Sequence, residues 1–263
     1  LGKYDAILLT CKAHQTAALA PVVAKVLEDD GAFATLQNGF GNAQKMALTA
    51  APDHIAVAPL SHGVLLERPG LILHAGGSPA AMGPFVPAAE PAARRIQSLL
   101  EHAGLEPQWT DDVRGVVWRK CLVNHAANPV GALHDADNGK LLREPAWSQC
   151  REIVEEGYSI ARSAGVRLPG ASGADALLAA FRATLEHTQA NRNSMVQDVA
   201  ARRPTEIEQI SGRLVRLARR LGIAAPHSDE AYRKVKALET RYLGEAAALQ
   251  AVRDEVAWET EPF

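Results

Sequence analysis

One otherwise apolar segment carries a lysine and two asparagines spaced by four residues. These are Lys120, Asn124 and Asn128, and on an α-helix this spacing places all three on one face. Reduction of a ketone needs a hydride at carbon and a proton at the developing alkoxide. A lysine buried among uncharged amides can donate that proton, because burial lowers its pKa toward neutrality. The stripe indicates either such an acid beside a cleft or plain hydrogen bonding between helices.

A second polar cluster lies at two predicted helix starts. Ser194, with Gln197 three residues later, has the form of a capping box, and Pro204 and Glu206 suit the first turn of the next helix. These residues can be purely structural. A helix N-terminus also presents backbone amides that could bind the carboxylate of an oxo acid.

A third group follows two predicted strands. Lys12 comes after the first strand, and Gln37-Asn38-Gly39 comes after the second. Residues just past the carboxyl ends of parallel strands line the ligand crevice, and glycine there allows close backbone approach. Taken alone, Asn-Gly is also a common turn and a single lysine is usually a surface residue.

The composition excludes several functional classes. The 263 residues have a formal net charge of −2, so no nucleic-acid partner is expected, and the arginine-rich stretch 213–220 is interpreted as a solvated helix face. No apolar run approaches the roughly 18 residues of a membrane span. The three scattered cysteines suggest neither disulfides nor a metal site, which favours a cytoplasmic location.

Predicted strands and helices alternate in the first half of the chain, the pattern typical of an α/β domain. After a cluster of prolines between residues 79 and 91, nearly every segment is predicted to be helical. A domain boundary is predicted near residues 106–112, between an α/β domain at 1–108 and a helical domain at 109–263. Strands are predicted at Asp5–Thr10, Ala32–Leu36, Ile55–Ala58 and Leu71–His74, and helices at Thr16–Leu27, Asn42–Ala50 and Pro91–Ala103.

The second half of the chain is predicted to be entirely helical. Its first helix begins after Asp112 as N-cap and stops at Asn128, before Pro129. The remaining helices are predicted at Trp147–Ala164, Gly173–His187, Met195–Ala201, Thr205–Leu221, Asp229–Leu238 and Glu245–Trp258.

Six short motifs, taken in order, resemble the ketopantoate reductase family, and they span nearly the whole sequence. They are Lys12-Ala-His-Gln-Thr16, Leu36-Gln-Asn-Gly-Phe-Gly-Asn42, Trp118-Arg-Lys-Cys-Leu-Val-Asn124 with Asn128-Pro129, Asn138-Gly139, Ser194-Met-Val-Gln-Asp198, and Arg203-Pro-Thr-Glu-Ile207.

The resemblance implies a Rossmann-type α/β N-terminal domain, incomplete here, joined to an all-α C-terminal domain. It also implies NADPH-dependent reduction of 2-dehydropantoate to pantoate, a step of pantothenate and coenzyme A biosynthesis. The expected partner is a small-molecule 2-oxo acid, and self-association into a homodimer is left open.

The same resemblance implies roles for individual residues. Lys120 would be the general acid that protonates the 2-oxo oxygen. Asn124, Asn128, Asn138 and Ser194 would bind the hydroxyl and carboxylate groups of the substrate. Lys12 and Asn38 would contact the nicotinamide half of NADP(H), and Glu206 would accept hydrogen bonds from its ribose.

The sequence departs from the family at its beginning. Family members start with a strand, a G-x-G-x-x-G turn and a helix, so that roughly sixty residues of the dinucleotide-binding domain are expected to be missing here. The preference for NADP over NAD therefore comes from the resemblance alone. Members also often carry a second serine where this sequence has Asn193.

Alternatives remain at this point. A member that reduces another 2-oxo acid would differ in a few pocket side chains, for which Ser61, His62 and Asn193 are candidates. A truncated, non-catalytic chain that binds a partner is another alternative, as is a 3-hydroxy-acid dehydrogenase relative. His125 and His134 are alternative acids, although neither lies on the Lys120 stripe.

Overall fold

The computed structural model describes residues 2–256. The chain divides into two compact units, Leu1–Val113 and Arg114–Phe263. Across the described residues, no helix is both long enough and apolar enough to cross a membrane.

The first unit combines strands and helices in chain order. Its elements are β1 (Tyr4–Leu9), α1 (Thr16–Ala24), β2 (Leu27–Thr35), α2 (Asn42–Ala47), β3 (Ile55–Val57), β4 (Ser61–Arg68), β5 (Leu71–Ser78), β6 (Ala81–Pro84), α3 (Glu90–His102) and β7 (Gln108–Trp109). Five of the strands form one sheet in the order β1-β2-β3-β6-β7. Strands β1, β2 and β3 are parallel, β6 is antiparallel to β3, and β7 is parallel to β6.

The core of this unit lies on the central strands. Ala32, Phe33 and Ala34 of β2 are fully buried, as expected for a parallel strand that is covered on both faces. The helix α3 packs Ile96 and Leu100 against this sheet. Burial on both faces fixes the end of β2, and β1, in which only Leu9 is buried, pairs in parallel beside it. The two candidate site segments therefore follow neighbouring strand ends.

Several boundaries in this unit differ from the predicted ones. Helix α1 ends at Ala24, before the predicted Leu27, and strand β2 begins at Leu27, before the predicted Ala32. The acidic residues 28–30 interrupt the apolar run by which the strand was predicted. The predicted strand Leu71–His74 is present but pairs with β4 in a separate two-stranded sheet. Strand β4 was not predicted, because its apolar residues at 64–66 are consecutive and do not alternate with polar ones. In the structure Val64 and Leu66 are both exposed. Strands β6 and β7 are too short to show one.

The second unit is helical, which confirms the predicted fold class. Its helices are α4 (Val113–His134), α5 (Ala146–Ser163), α6 (Ala174–His187), α7 (Ser194–Ala200), α8 (Arg213–Leu221), α9 (Pro226–Leu243) and α10 (Glu245–Val256). A π-helical turn at Glu208–Gly212 leads into α8. Trp258, the predicted end of the last helix, lies outside the described residues.

The predicted stop at Pro129 is wrong, because α4 continues through it to His134. Proline removes one backbone donor, but Val130 and Ala132 beyond it are buried. Their burial favours continuation of the helix past the proline. As a result α4 extends six residues beyond Asn128, the last residue of the Lys120 stripe.

The arginine-rich stretch 213–220 also differs from its interpretation as a solvated face. Arg219 and Arg220 are exposed, but Arg213 is buried, with 1% of its surface accessible. Arg216 pairs with the buried Glu208 at 3.0 Å. Sequence composition could not separate the two faces of α8, because the partner of Arg216 lies on the preceding π-helical turn.

Candidate active site

The polar stripe lies along α4. Lys120 and Asn124 are half-buried and Asn128 is buried, while Trp118 and Leu122 of the same helix enter the core. The apolar side chains hold the helix in place, so the lysine and the two amides share a face whose orientation is fixed by packing. This is the arrangement that the spacing predicted.

Lys120 has a shifted protonation equilibrium. Burial lowers the pKa of Lys120 to about 8, and the charges of Cys121 and Glu206 oppose that shift. A lysine with this pKa remains largely protonated at neutral pH, yet it gives up its proton far more readily than an exposed lysine. The side chain is therefore suited to act as a general acid.

Asn138 supplies an acceptor that the protein leaves open. Its side-chain Nδ2 donates to Oγ1 of Thr188 at 2.8 Å, and its backbone N–H donates to the carbonyl of Asn191 at 2.9 Å. Among the described residues, its buried Oδ1 has no hydrogen-bond partner. A buried acceptor without a donor costs about 1–3 kcal/mol, so this atom is well placed to accept from a bound hydroxyl group.

The N-terminus of α7 is capped by Asn193, and the capping box predicted for Ser194 is wrong. The Oδ1 of Asn193 accepts from the backbone N–H groups of Met195 and Val196, each at 3.1 Å. Its Nδ2 donates to the carbonyl of Ala127 on α4 at 3.1 Å. Ser194 becomes the first residue of α7, half-buried and relieved of the capping role.

Asn193 also explains a glycine on α4. A Cβ atom at Gly131 would lie 2.4 Å from Nδ2 of Asn193, so a larger residue there would displace the side chain that caps α7. The segment 189–193 thus connects Asn138 with the α7 N-terminus. Sequence reasoning missed Asn193 as the cap, although asparagine directly before a helix is itself a capping signal.

Glu206 is buried, with 5% of its surface exposed. It was predicted in the first turn of a helix, but the helical turns begin only after it, at Ile207. Its carboxylate acts on Lys120 by raising that lysine's pKa, against the larger lowering by burial. Two residues that are separated by 86 positions in the sequence are thus electrostatically coupled.

The ends of β1 and β2 are joined by one glutamine. The Nε2 of Gln37 donates to the carbonyl of Cys11 at 2.9 Å and to Oγ1 of Thr16 at 2.9 Å. Lys12 and Asn38, the neighbours of Cys11 and Gln37, are both half-buried. These two candidate residues therefore lie on adjacent loops, which the side chain of Gln37 holds together.

The loop after β2 contains two glycines in the left-handed backbone conformation. Gly39 and Gly41 have φ angles of 87° and 82°, which side-chain-bearing residues rarely adopt. The carbonyl of Asn38 accepts from Nδ2 of Asn42 at 2.8 Å. Carboxyl ends of parallel strands with glycines that allow close approach fit the binding of a dinucleotide such as NADP(H).

The two histidines considered as alternative acids are occupied elsewhere. The ring nitrogens of His125 contact Oγ of Ser211 at 2.8 Å and Oγ of Ser228 at 3.0 Å. Burial lowers the pKa of His125 to about 3, so it is uncharged at neutral pH. His134, the last residue of α4, is exposed and hydrogen-bonds the side chain of Gln149. Neither histidine therefore combines partial burial with a place on the polar stripe, as Lys120 does.

The pair suggested for substrate selectivity in the first unit lies on the β4–β5 hairpin. Ser61 is exposed and His62 is half-buried. The Nδ1 of His62 lies 2.9 Å from Nε2 of His74 on the facing strand. Their role in selectivity stays a prediction.

Family models match both units of the chain. A model described as "Ketopantoate reductase PanE/ApbA" matches residues 1–87, and one described as "Ketopantoate reductase PanE/ApbA C terminal" matches residues 112–239. A 2-dehydropantoate 2-reductase of Halobacterium salinarum is 33% identical over 224 residues, which is 84% of this chain and 72% of that protein.

Solved structures show the same fold. A PanE/ApbA family ketopantoate reductase from Ralstonia eutropha superposes with a TM-score of 0.81 and 26% identity, over 92% of this chain and 78% of that one. A D-mandelate dehydrogenase in a ternary structure with NADH and anilino(oxo)acetate gives a TM-score of 0.84 at 23% identity, with the same coverage.

Proposed function

This chain belongs to the ketopantoate reductase family, and on that premise we propose that it reduces 2-dehydropantoate to pantoate with NADPH. The observation that carries the proposal is Lys120, whose pKa burial lowers to about 8 on a helix face that it shares with Asn124 and Asn128. An acid beside two amides is the chemistry that reduction of a polar 2-oxo acid requires.

The proton transfer follows from the state of Lys120. NADPH, when bound, would supply the hydride needed at the carbonyl carbon of the substrate. The ammonium group of Lys120 donates a proton to the carbonyl oxygen as negative charge develops there, so that the product is an alcohol and the lysine is left neutral. Its lowered pKa makes this donation easier, and solvent then restores the proton.

Substrate binding is assigned to the amides of the second unit. Asn124 and Asn128 extend the Lys120 stripe, and the buried Oδ1 of Asn138 is available to accept a hydrogen bond from a hydroxyl group. Ser194 begins α7, and its hydroxyl group, which does not cap that helix, suits a hydrogen bond to the substrate carboxylate. We assign these roles to the helical domain at residues 109–263.

Cofactor binding is assigned to the α/β domain at residues 1–108 together with Glu206. Lys12 and Asn38 on the joined loops after β1 and β2 would contact the nicotinamide half of NADPH. The buried carboxylate of Glu206 would accept hydrogen bonds from the ribose hydroxyls. The negative charge of Glu206 also favours the protonated form of Lys120, so one carboxylate would serve both binding and proton transfer.

The test is direct identification of the product. The full-length protein is incubated with NADPH and 2-dehydropantoate, and pantoate is measured by mass spectrometry beside the Lys120→Ala variant. Pantoate formation by the wild-type protein alone supports the proposal. Oxidation of NADPH without pantoate, or equal product from both proteins, would remove the proposed reaction or the role of Lys120.

We propose a cytoplasmic location and a homodimer as further properties. Cys11, Cys121 and Cys150 form no disulfide with one another in the described part of the chain, which suits a reducing compartment. The exposed side chains of Val64, Leu66 and Ile72 on the β4–β5 hairpin offer apolar surface that self-association could bury. Cell fractionation tests the location, and light scattering at the mass of one chain would contradict the dimer.

A further inference from the structure

Side chains on one face of α9 contact the segment 203–208, which includes Glu206. Tyr232, Lys236 and Glu239 are spaced by four and three residues on this helix, so they share a face. Each of them hydrogen-bonds or pairs with that segment or with another member of the face. The helix therefore contributes a row of polar groups to a single short stretch of backbone.

Glu239 is the centre of this row. Its Oε1 accepts from the backbone N–H of Thr205 at 2.8 Å and from Oγ1 of Thr205 at 2.7 Å. Its Oε2 accepts from Nζ of Lys236 at 2.9 Å. Glu239 is buried, with 3% of its surface exposed, and hydrogen bonds to a charged group in such surroundings are stronger than neutral ones.

The other side of Glu206 is fixed as well. Glu208 is 2% exposed and accepts from the hydroxyl of Tyr232 at 2.8 Å. It pairs with Arg216 at 3.0 Å and with Lys236 at 3.3 Å. Lys236 thus bridges the two buried carboxylates and, together with Arg216, balances their charge. This bridge ties the positions of Thr205 and Glu208 to the same helix.

Thr205 transmits this constraint to the backbone around Glu206. Its Oγ1, besides donating to Glu239, accepts from the backbone N–H of Ile207 at 3.2 Å. The residues directly before and after Glu206 are therefore held by one hydroxyl group, and that hydroxyl is held by Glu239. A displacement of Glu239 would reach Glu206 through this chain of contacts.

We propose that Glu239 is a positioning residue for Glu206: its hydrogen bonds to Thr205 set the place of the Glu206 carboxylate and hence the affinity for NADPH. The inference rests on the proposed contact between Glu206 and the cofactor ribose. It assigns to Glu239 a part in cofactor binding that Glu239 performs through Thr205, without touching the cofactor itself.

The experiment is a double-mutant cycle of Glu206→Gln and Glu239→Gln, with the NADPH dissociation constant and kcat as readouts. Glu239→Gln is expected to weaken NADPH binding roughly tenfold, a coupling typical of residues in one network, while kcat at saturating NADPH changes by less than about twofold. In the Glu206→Gln background the same change is expected to add nothing. Glu230→Gln is the matched control, since this exposed carboxylate on α9 pairs only with Lys234 among the described ion pairs.

The outcomes separate the two proposals. An unchanged dissociation constant in Glu206→Gln would overturn the ribose contact itself. If Glu206→Gln weakens NADPH binding, and Glu239→Gln weakens it by the same factor in the wild-type and the Glu206→Gln backgrounds, only the positioning role is overturned. Thr205→Val and Thr205→Ser provide a second test if Glu239→Gln fails to fold: the valine should weaken NADPH binding and the serine should restore it. Equal affinity in these two variants would contradict the inference.

Discussion

Burial of Lys120 lowers its pKa to about 8, and the carboxylate of Glu206 opposes that shift. Desolvation makes the lysine a better acid, while the charges of Cys121 and Glu206 favour its protonated form. This balance is what a general acid working near neutral pH requires. It links the residue assigned to proton transfer with the residue assigned to the cofactor.

The rate should depend on pH with the pKa of Lys120. The acid must be protonated, so kcat at saturating NADPH is expected to be maximal below about pH 8 and to fall as pH rises through that value. Glu206→Gln removes a negative charge that raises the pKa, so its alkaline limb should move to lower pH. Profiles of kcat against pH for the wild type, Glu206→Gln and the control Glu230→Gln check this. A limb at the same pH in all three would contradict the coupling.

Lys120→Ala should remove the proton donor and leave the cofactor site in place. We expect kcat to fall by about 10²- to 10⁴-fold, the usual contribution of general acid catalysis, while the NADPH dissociation constant stays within about threefold. Lys234→Ala, an exposed lysine on α9, serves as the matched control. Turnover near the wild-type value in Lys120→Ala would exclude this residue from the reaction.

Asn138→Ala should affect the substrate rather than the cofactor. Removing the buried Oδ1 deletes the acceptor proposed for a substrate hydroxyl group, so the KM for 2-dehydropantoate is expected to rise roughly tenfold with little change in NADPH affinity. Asn191→Ala is the control, because Asn191 contacts Asn138 through its backbone carbonyl. Equal KM values in the two variants would argue against a substrate contact at Asn138.

Asn193→Ala should lower stability. The variant loses two hydrogen bonds to the start of α7 and one to the carbonyl of Ala127, for an expected loss of about 1–3 kcal/mol in the free energy of unfolding. Denaturant unfolding measures it. Asn193→Ser can cap the helix but is too short to keep the bond to Ala127, so its stability should lie in between. A serine variant no more stable than the alanine variant would refute the capping role.

Local patterns in the sequence predicted the parts of the fold that depend on local rules. The buried run at β2 and the four-residue spacing of Lys120, Asn124 and Asn128 each report a single element, and both elements are present. The stop at Pro129 failed because burial of the residues beyond it outweighs the missing backbone donor. Strand β4 was missed because the consecutive apolar residues at 64–66 show no alternation with polar ones.

Long-range polar pairs could not be predicted from the sequence. Glu239 lies 34 residues from Thr205 and Tyr232 lies 24 residues from Glu208, and each looks like an ordinary surface residue of a helix. Arg216 was interpreted as solvated for the same reason. Only packing of α9 against the segment 203–208 shows that these charges are buried and paired, and this is where the positioning of Glu206 arises.

The assigned reaction is tested by measuring kcat/KM of the full-length protein for 2-dehydropantoate with NADPH, beside a panel of other 2-oxo acids. We expect 2-dehydropantoate to be preferred by at least about tenfold, since a few pocket contacts suffice for that discrimination. A stronger preference for another 2-oxo acid would contradict the assigned substrate, and no activity with any member of the panel would contradict the assignment of this protein as a reductase.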